Sequence, residues 1–155
     1  MSQHTTKHSP MICCYRGVLD HHTTPPHGHH AAGRRGFVNR PGWEQFQDLL
    51  AGFRDLCPAA MPVVVRTSWL PRTRLGQCRR LPRRFVIQLN RDMGEPQAIE
   101  TLCHEWAHAL AWNYSLDQAS KMPGVDQAEF ERLCHDEVWG CAFSRVYRAF
   151  LEIQR

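Results

Sequence analysis

The run PQAIETLCHEWAHALAWN, residues 96–113, restricts the fold more than any other part of the chain. Pro96 suits the first turn of a helix. From there Ile99, Leu102, Cys103, Trp106 and Leu110 recur at i, i+3, i+4, i+7 and i+11, a spacing that gathers them on one helical face. A helix with such a face must dock on another layer. The same helix carries His104, Glu105 and His108. Residues four apart stand one turn above each other, so the two imidazoles can converge on one ion. Glu105 lies about 100° around from His104, where a carboxylate can reach solvent beside that ion without itself becoming a ligand.

The flanking patterns supply the other layer. Trp43, Phe46, Leu49, Leu50 and Phe53 recur at helical spacing until Cys57-Pro58 closes the segment. Residues 62–69 contain Val63, Val64 and Val65 in succession and read as a buried strand; residues 84–90 alternate Phe85, Ile87 and Leu89 against Arg84, Val86 and Gln88 and read as a second. An irregular, arginine-laden connection is expected between them, and a polar loop from residue 115 to 126 with Pro123-Gly124 as its breaker. A last helix starts after Asp136, its N-cap, with Trp139, Phe143, Val146, Tyr147 and Phe150 as its stripe. The fold class is α+β: a small sheet packed on the motif helix, flanked by N- and C-terminal helices. Residues 1–36, with the cluster HHTTPPHGHH, are expected to form a disordered His-rich tail outside the core, and residues 37–155 the folded domain. His21, His22, His27, His29 and His30 can bind metal only loosely in such a tail.

Outside the tail the only histidines are His104, His108 and His135. A catalytic zinc site requires three protein ligands and one open position, and His135, at the entrance to the last helix, is the expected third ligand to a single Zn2+. Glu129, Glu131 and Glu137 are its rivals. Zinc lowers the pKa of bound water to about 7 and polarises a carbonyl; Glu105 is the expected general base. Cys103 lies on the apolar stripe and is read as a buried, inert thiol, as are Cys134 and Cys141. Tyr114 and Tyr147 are candidate donors to an oxyanion, and Trp112 a cover over the core.

Composition excludes several classes. No stretch approaches the roughly 18 apolar residues of a membrane span, and the first residues, MSQHTTKHSP, lack the pattern of a secretory signal, so a cytoplasmic location is expected. The 7 cysteines form no CxxC pair, in keeping with free thiols. Net charge is +4, but seven arginines (Arg66, Arg72, Arg74, Arg79, Arg80, Arg83 and Arg84) crowd one segment, which makes DNA a secondary candidate partner.

The stretch from Cys103 to His108, followed by His135-Asp136-Glu137-Val138-Trp139-Gly140, resembles the SprT-like zinc metallopeptidases, including small phage and prophage members. The resemblance covers about residues 40–155. It implies a minimal zincin-like domain in which His135 is the third zinc ligand and Trp139 the motif's aromatic. It also implies that residues 84–90 line the cleft, with Arg84, Val86 and Gln88 along an extended protein or peptide substrate, and that substrates can be proteins held on DNA. The competing expectation is a non-catalytic zinc-stabilised module that binds nucleic acid or protein, which a fourth protein ligand such as Cys134 would favour.

Overall fold

In the computed structural model of the chain, the described residues are 13–16, 43–122 and 124–155. Helix α1 spans Glu44–Leu56 and buries Phe46, Leu49, Leu50 and Phe53. Its first turn is fastened from outside, because the backbone N–H of Phe46 donates to Glu95 Oε1 at 2.9 Å. Strand β2, Val63–Ser68, and β4, Arg84–Asn90, run parallel, with Val63 opposite Phe85 and Ser68 opposite Asn90. Helix α2, Glu95–Ala111, begins after Gly94 with Pro96 in its first turn and ends before Trp112. Helix α5 spans Glu137–Ile153, and the Asp136 carboxylate accepts from Trp139 N at 3.0 Å as the N-cap.

The α+β expectation holds: a mixed sheet packs on α2, with α1 and α5 on the far side of that helix. One continuous core joins them. It contains Leu102 and Trp106 of α2, Phe85, Ile87 and Leu89 of β4, Phe53 of α1 and Val146 of α5. Each such side chain contributes about 1.5–3 kcal/mol when fully buried. Trp106 also satisfies its own ring N–H, donating to Cys57 O at 2.9 Å.

Four local expectations need correction. The arginine-laden connection is a strand, β3, Arg74–Leu81, which forms a hairpin with β4 through Pro82 and Arg83. Part of the segment read as a tail is also structured: Cys13–Arg16 form β1, antiparallel to β3, and Cys13 is fully buried. The remaining residues of the expected tail, the histidine cluster included, lie outside the described residues. Residues 115–126 are not all loop, since α3, Tyr114–Ala119, starts there on an Asn113 cap; Asp126 caps α4, Gln127–Leu133.

The fourth correction concerns substrate. The sheet order is β1-β3-β4-β2, so β4 is an interior strand with neighbours on both sides. Its backbone groups are already committed to β2 and β3, and an extended peptide has no free edge to pair with there. Val86 and Gln88 are buried, and Gln88 is held between Gln77 (2.6 Å) and Ser68 (2.8 Å), while Arg84 alone is exposed.

Candidate metal centre

Helix α2 presents His104 and His108 one turn apart, and the junction between α4 and α5 presents His135. The Nε2 atom of His104 lies 3.1 Å from Nε2 of His108 and 3.1 Å from Nε2 of His135. His135 Nδ1 is 2.6 Å from the Glu131 carbonyl oxygen, which can only accept, so that nitrogen carries the ring proton and donates. In the neutral ring Nε2 is then a bare lone pair turned toward His104. Tetrahedral coordination at about 2.0–2.1 Å per nitrogen would separate such atoms by about 3.3 Å. Two of the three pairs thus stand near the spacing one ion requires, all three donor atoms lie within 4.8 Å of one another, and His104, His108 and His135 form a possible metal site.

Electrostatics favour neutral rings at two of the three positions. Burial, followed by the neighbouring His108 and His135, pushes His104 down to about 3. Burial also lowers His108, against an opposing pull from Cys134. The Cys134 hydrogen bond raises His135. Cys134 itself is held down to about 4, first by a hydrogen bond from Cys13 and further by His108 and His135, while burial pushes the Cys13 thiol well above its usual range.

Glu105 follows His104 and is fully buried between α2 and the sheet. Gly76 makes room for it: a Cβ at that position would lie 3.0 Å from Glu105 Cγ and Oε1 and 2.5 Å from Thr101 Cγ2. On the other side, the Trp139 ring lies 4.9 Å from His104, 5.5 Å from His108 and 4.9 Å from His135, and stacks on Phe143 at 5.1 Å. Its ring N–H is buried and has no hydrogen-bond partner.

The rival carboxylates are placed elsewhere. Glu129 pairs with Arg132 at 3.7 Å, Glu131 accepts from Gln127 at 3.1 Å, and Glu137 is exposed in the first turn of α5; none belongs to a potential metal group. Cys103 is buried on α2 and pushed up to about 12 by that burial, as an inert thiol would be. Cys141 is exposed. Tyr114 is exposed at the start of α3, and half-exposed Tyr147 stacks on Phe150 at 5.9 Å. Trp112 lies between Phe85 and Phe130 and donates to Asp117 at 2.7 Å. Arg66 and Arg79 share the sheet face of Gln88 and Val86, Arg80 bridges Asp117 at 3.0 Å, and exposed Arg72 and Arg83 stand at opposite ends of β3. An apolar cleft of about 490 Å³ between α1, α2 and α5 is lined by Ile99, Cys103, Phe143 and Phe150 and contains none of the three histidines.

The residue that sequence reasoning missed is Cys13. Its sulfur, that of Cys134 and a ring nitrogen of His108 form a second potential donor group. Adjacency of Cys134 to His135 was visible in the sequence; the docking of β1 that brings in Cys13 was not.

No family model, curated protein or solved structure matches the chain. Three imidazoles suit zinc and also copper, iron or nickel. Among the described residues, no helix is long and apolar enough to cross a membrane.

Proposed function

We propose that the protein is a zinc-dependent metallopeptidase of the SprT-like kind, with His104, His108 and His135 holding one Zn2+ and Glu105 as general base. The observation that carries this reading is that His104 Nε2 on α2 lies 3.1 Å from Nε2 of both His108 and His135, beside the buried carboxylate of Glu105. Zinc bound there would supply a Lewis acid and a water of lowered pKa. Glu105 takes the proton of the attacking water and hands it to the departing amine. His135 is held for its role by the Glu131 carbonyl, and the Trp139 ring packs against all three imidazoles while His135 stays exposed to solvent. The grouping of Cys134 with Cys13 and His108, rather than with His104 and His135, supports a coordination position open to water.

An extended polypeptide would add to β1, an edge strand among the described residues that packs against α2, by main-chain hydrogen bonds. By the same resemblance, proteins held on DNA are the proposed substrate class, with exposed Arg83 and Arg84 at the β3–β4 turn meeting phosphate. DNA should then stimulate cleavage, and rising salt should remove the stimulation; indifference to DNA discards this part alone. The central test is Glu105→Gln assayed on an unfolded protein such as casein. Zinc content by elemental analysis should stay at one ion with hydrolysis down by about 10²–10⁴-fold. Equal hydrolysis by the variant, or by chelator-treated protein, overturns the reading.

A further inference from the structure

Cys13 and Cys134 stand apart from the proposed chemistry and yet converge with His108, which also belongs to the proposed zinc site. Their donor atoms all lie within 4.8 Å of one another, and the three residues are buried to 0%, 1% and 1% exposure. They come from three elements distant in sequence: β1, the C-cap of α4, and α2. Around them lies a small apolar cluster of Leu116, Ala119 and Phe130. We infer that Cys13, Cys134 and His108 form a second cation site, one that takes a soft, closed-shell ion such as Zn2+, Cd2+ or Cu+.

The donor chemistry selects the class of ion. Two sulfurs and an imidazole in a dry pocket favour soft cations, whereas Mg2+ or Ca2+ require oxygen ligands. Tetrahedral binding to two thiolates at about 2.3 Å places the sulfurs about 3.8 Å apart, so the group needs to close by no more than about 1 Å from its outer bound of 4.8 Å. His108, whose Nε2 faces His104, serves both groups at once only as a bridging imidazolate, with a lone pair on each ring nitrogen. Cys78 lies opposite Cys13 on β3 but does not belong to the donor group. The thiol protons and the remaining His108 ring proton leave to solvent as the second ion binds, with no change of oxidation state. Because Cys13 lies on a four-residue strand, an ion here fastens β1 to the sheet and to α4.

The inference shares His108 with the proposed zinc site but does not require peptidase activity, and it is tested with Cd2+ on the full, metal-free, fully reduced chain. The titration should end at two Cd2+ per chain and bring up a thiolate-to-cadmium ultraviolet band. 113Cd NMR of the unaltered protein should show one sulfur-bound and one nitrogen-bound resonance. Cys13→Ser and Cys134→Ser should each lose the ultraviolet band, while His104→Ala should lose only the nitrogen-bound resonance. No sulfur-bound resonance in protein whose thiols titrate as free, or a band that survives Cys13→Ser, overturns the inference. Should the serine variants fail to fold, the spectrum of the unaltered protein decides. Failure of the peptidase reading would show in Glu105→Gln and leave the sulfur-bound resonance in place.

Discussion

Replacing Gly76 with alanine drives a methyl group into α2 directly against Thr101 and Glu105. The new Cβ would lie 2.5 Å from Thr101 Cγ2 and 3.0 Å from Glu105 Cγ and Oε1. Carbon atoms in comfortable contact stand about 3.5–4.0 Å apart, so α2 and β3 must separate by about 1 Å. Neither side yields readily. Thr101 is fully buried, and Leu102 and Trp106 hold the helix against the core. Backbone strain plays no part, since among the described residues only Gly124 has a positive φ. Overpacking of this kind costs about 1–3 kcal/mol, which for a chain of this length lowers the melting temperature by about 3–10 °C.

A second substitution separates the two contacts. Thr101→Ser deletes the offending Cγ2 methyl and keeps the hydroxyl that donates to Gln97 O at 2.7 Å. In a double-mutant cycle read by urea unfolding, Gly76→Ala and Thr101→Ser should couple favourably by about 1 kcal/mol or more. Hydrolysis should stay depressed in the double variant, because the contact on Glu105 is not relieved. Strict additivity of the two stability changes, or full activity in Gly76→Ala, would refute the account of why glycine stands at this position.

Two further outcomes can be read directly. His135→Ala should weaken zinc binding by about two orders of magnitude in chelator competition at pH 7, because a three-ligand site loses a ligand; affinity within threefold of the unaltered protein removes His135 from the site. In chelator, stability should depend on pH through His104, whose folded value is about 3 against 6.5 in the unfolded chain. Between those values the unfolded state binds the extra proton, so stability rises with pH, by at most about 1.4 kcal/mol per unit, and is lost as pH falls from 6.5 toward 3. His104→Gln should flatten the slope in that window, and an unchanged slope would contradict a buried neutral ring.

What the sequence made legible was local. α1, α2 and α5 carry their apolar stripes at a period of 3.6 and β4 at a period of 2, although α2 is buried nearly all round and β4 on both faces, while β2 is marked by three consecutive valines. β3 escapes such reading because its buried middle is Leu75, Gly76, Gln77 and Cys78, without a β-branched residue. Gln77 is buried through partners that lie far along the chain, Gln88 at 2.6 Å and through it Ser68 at 2.8 Å. Alternation of polar and apolar residues therefore says nothing about which face is inside. Helices α3 and α4, of 6 and 7 residues, are too short to show a period, and only the caps Asn113 and Asp126 marked them. His104, Glu105 and His108 were legible because helix geometry alone relates them. The place of β4 inside the sheet was not, since strand order is set by non-local pairing.

The same distinction governs how the site should respond to losing its metal. Two apolar clusters meet there, a large one containing α1, α2, β4 and α5 and a small one built from Cys13, Leu116, Ala119, Phe130 and Cys134. His104 and His108 belong to a helix anchored in the large cluster, whereas His135 immediately follows Cys134 of the small one. Trp112 bridges them, its ring 6.0 Å from Phe85 and 6.1 Å from Phe130. An ion held by residues from both sides adds its binding free energy to their docking, about 4 kcal/mol when the free metal stands at 1,000 times its dissociation constant. A small cluster with few buried side chains has little stability of its own to replace that term. Metal removal should accordingly speed amide exchange in α3 and α4 well before it touches α1 or β4. If exchange rises equally throughout, the metal stabilises the domain as one unit and the two clusters do not open separately.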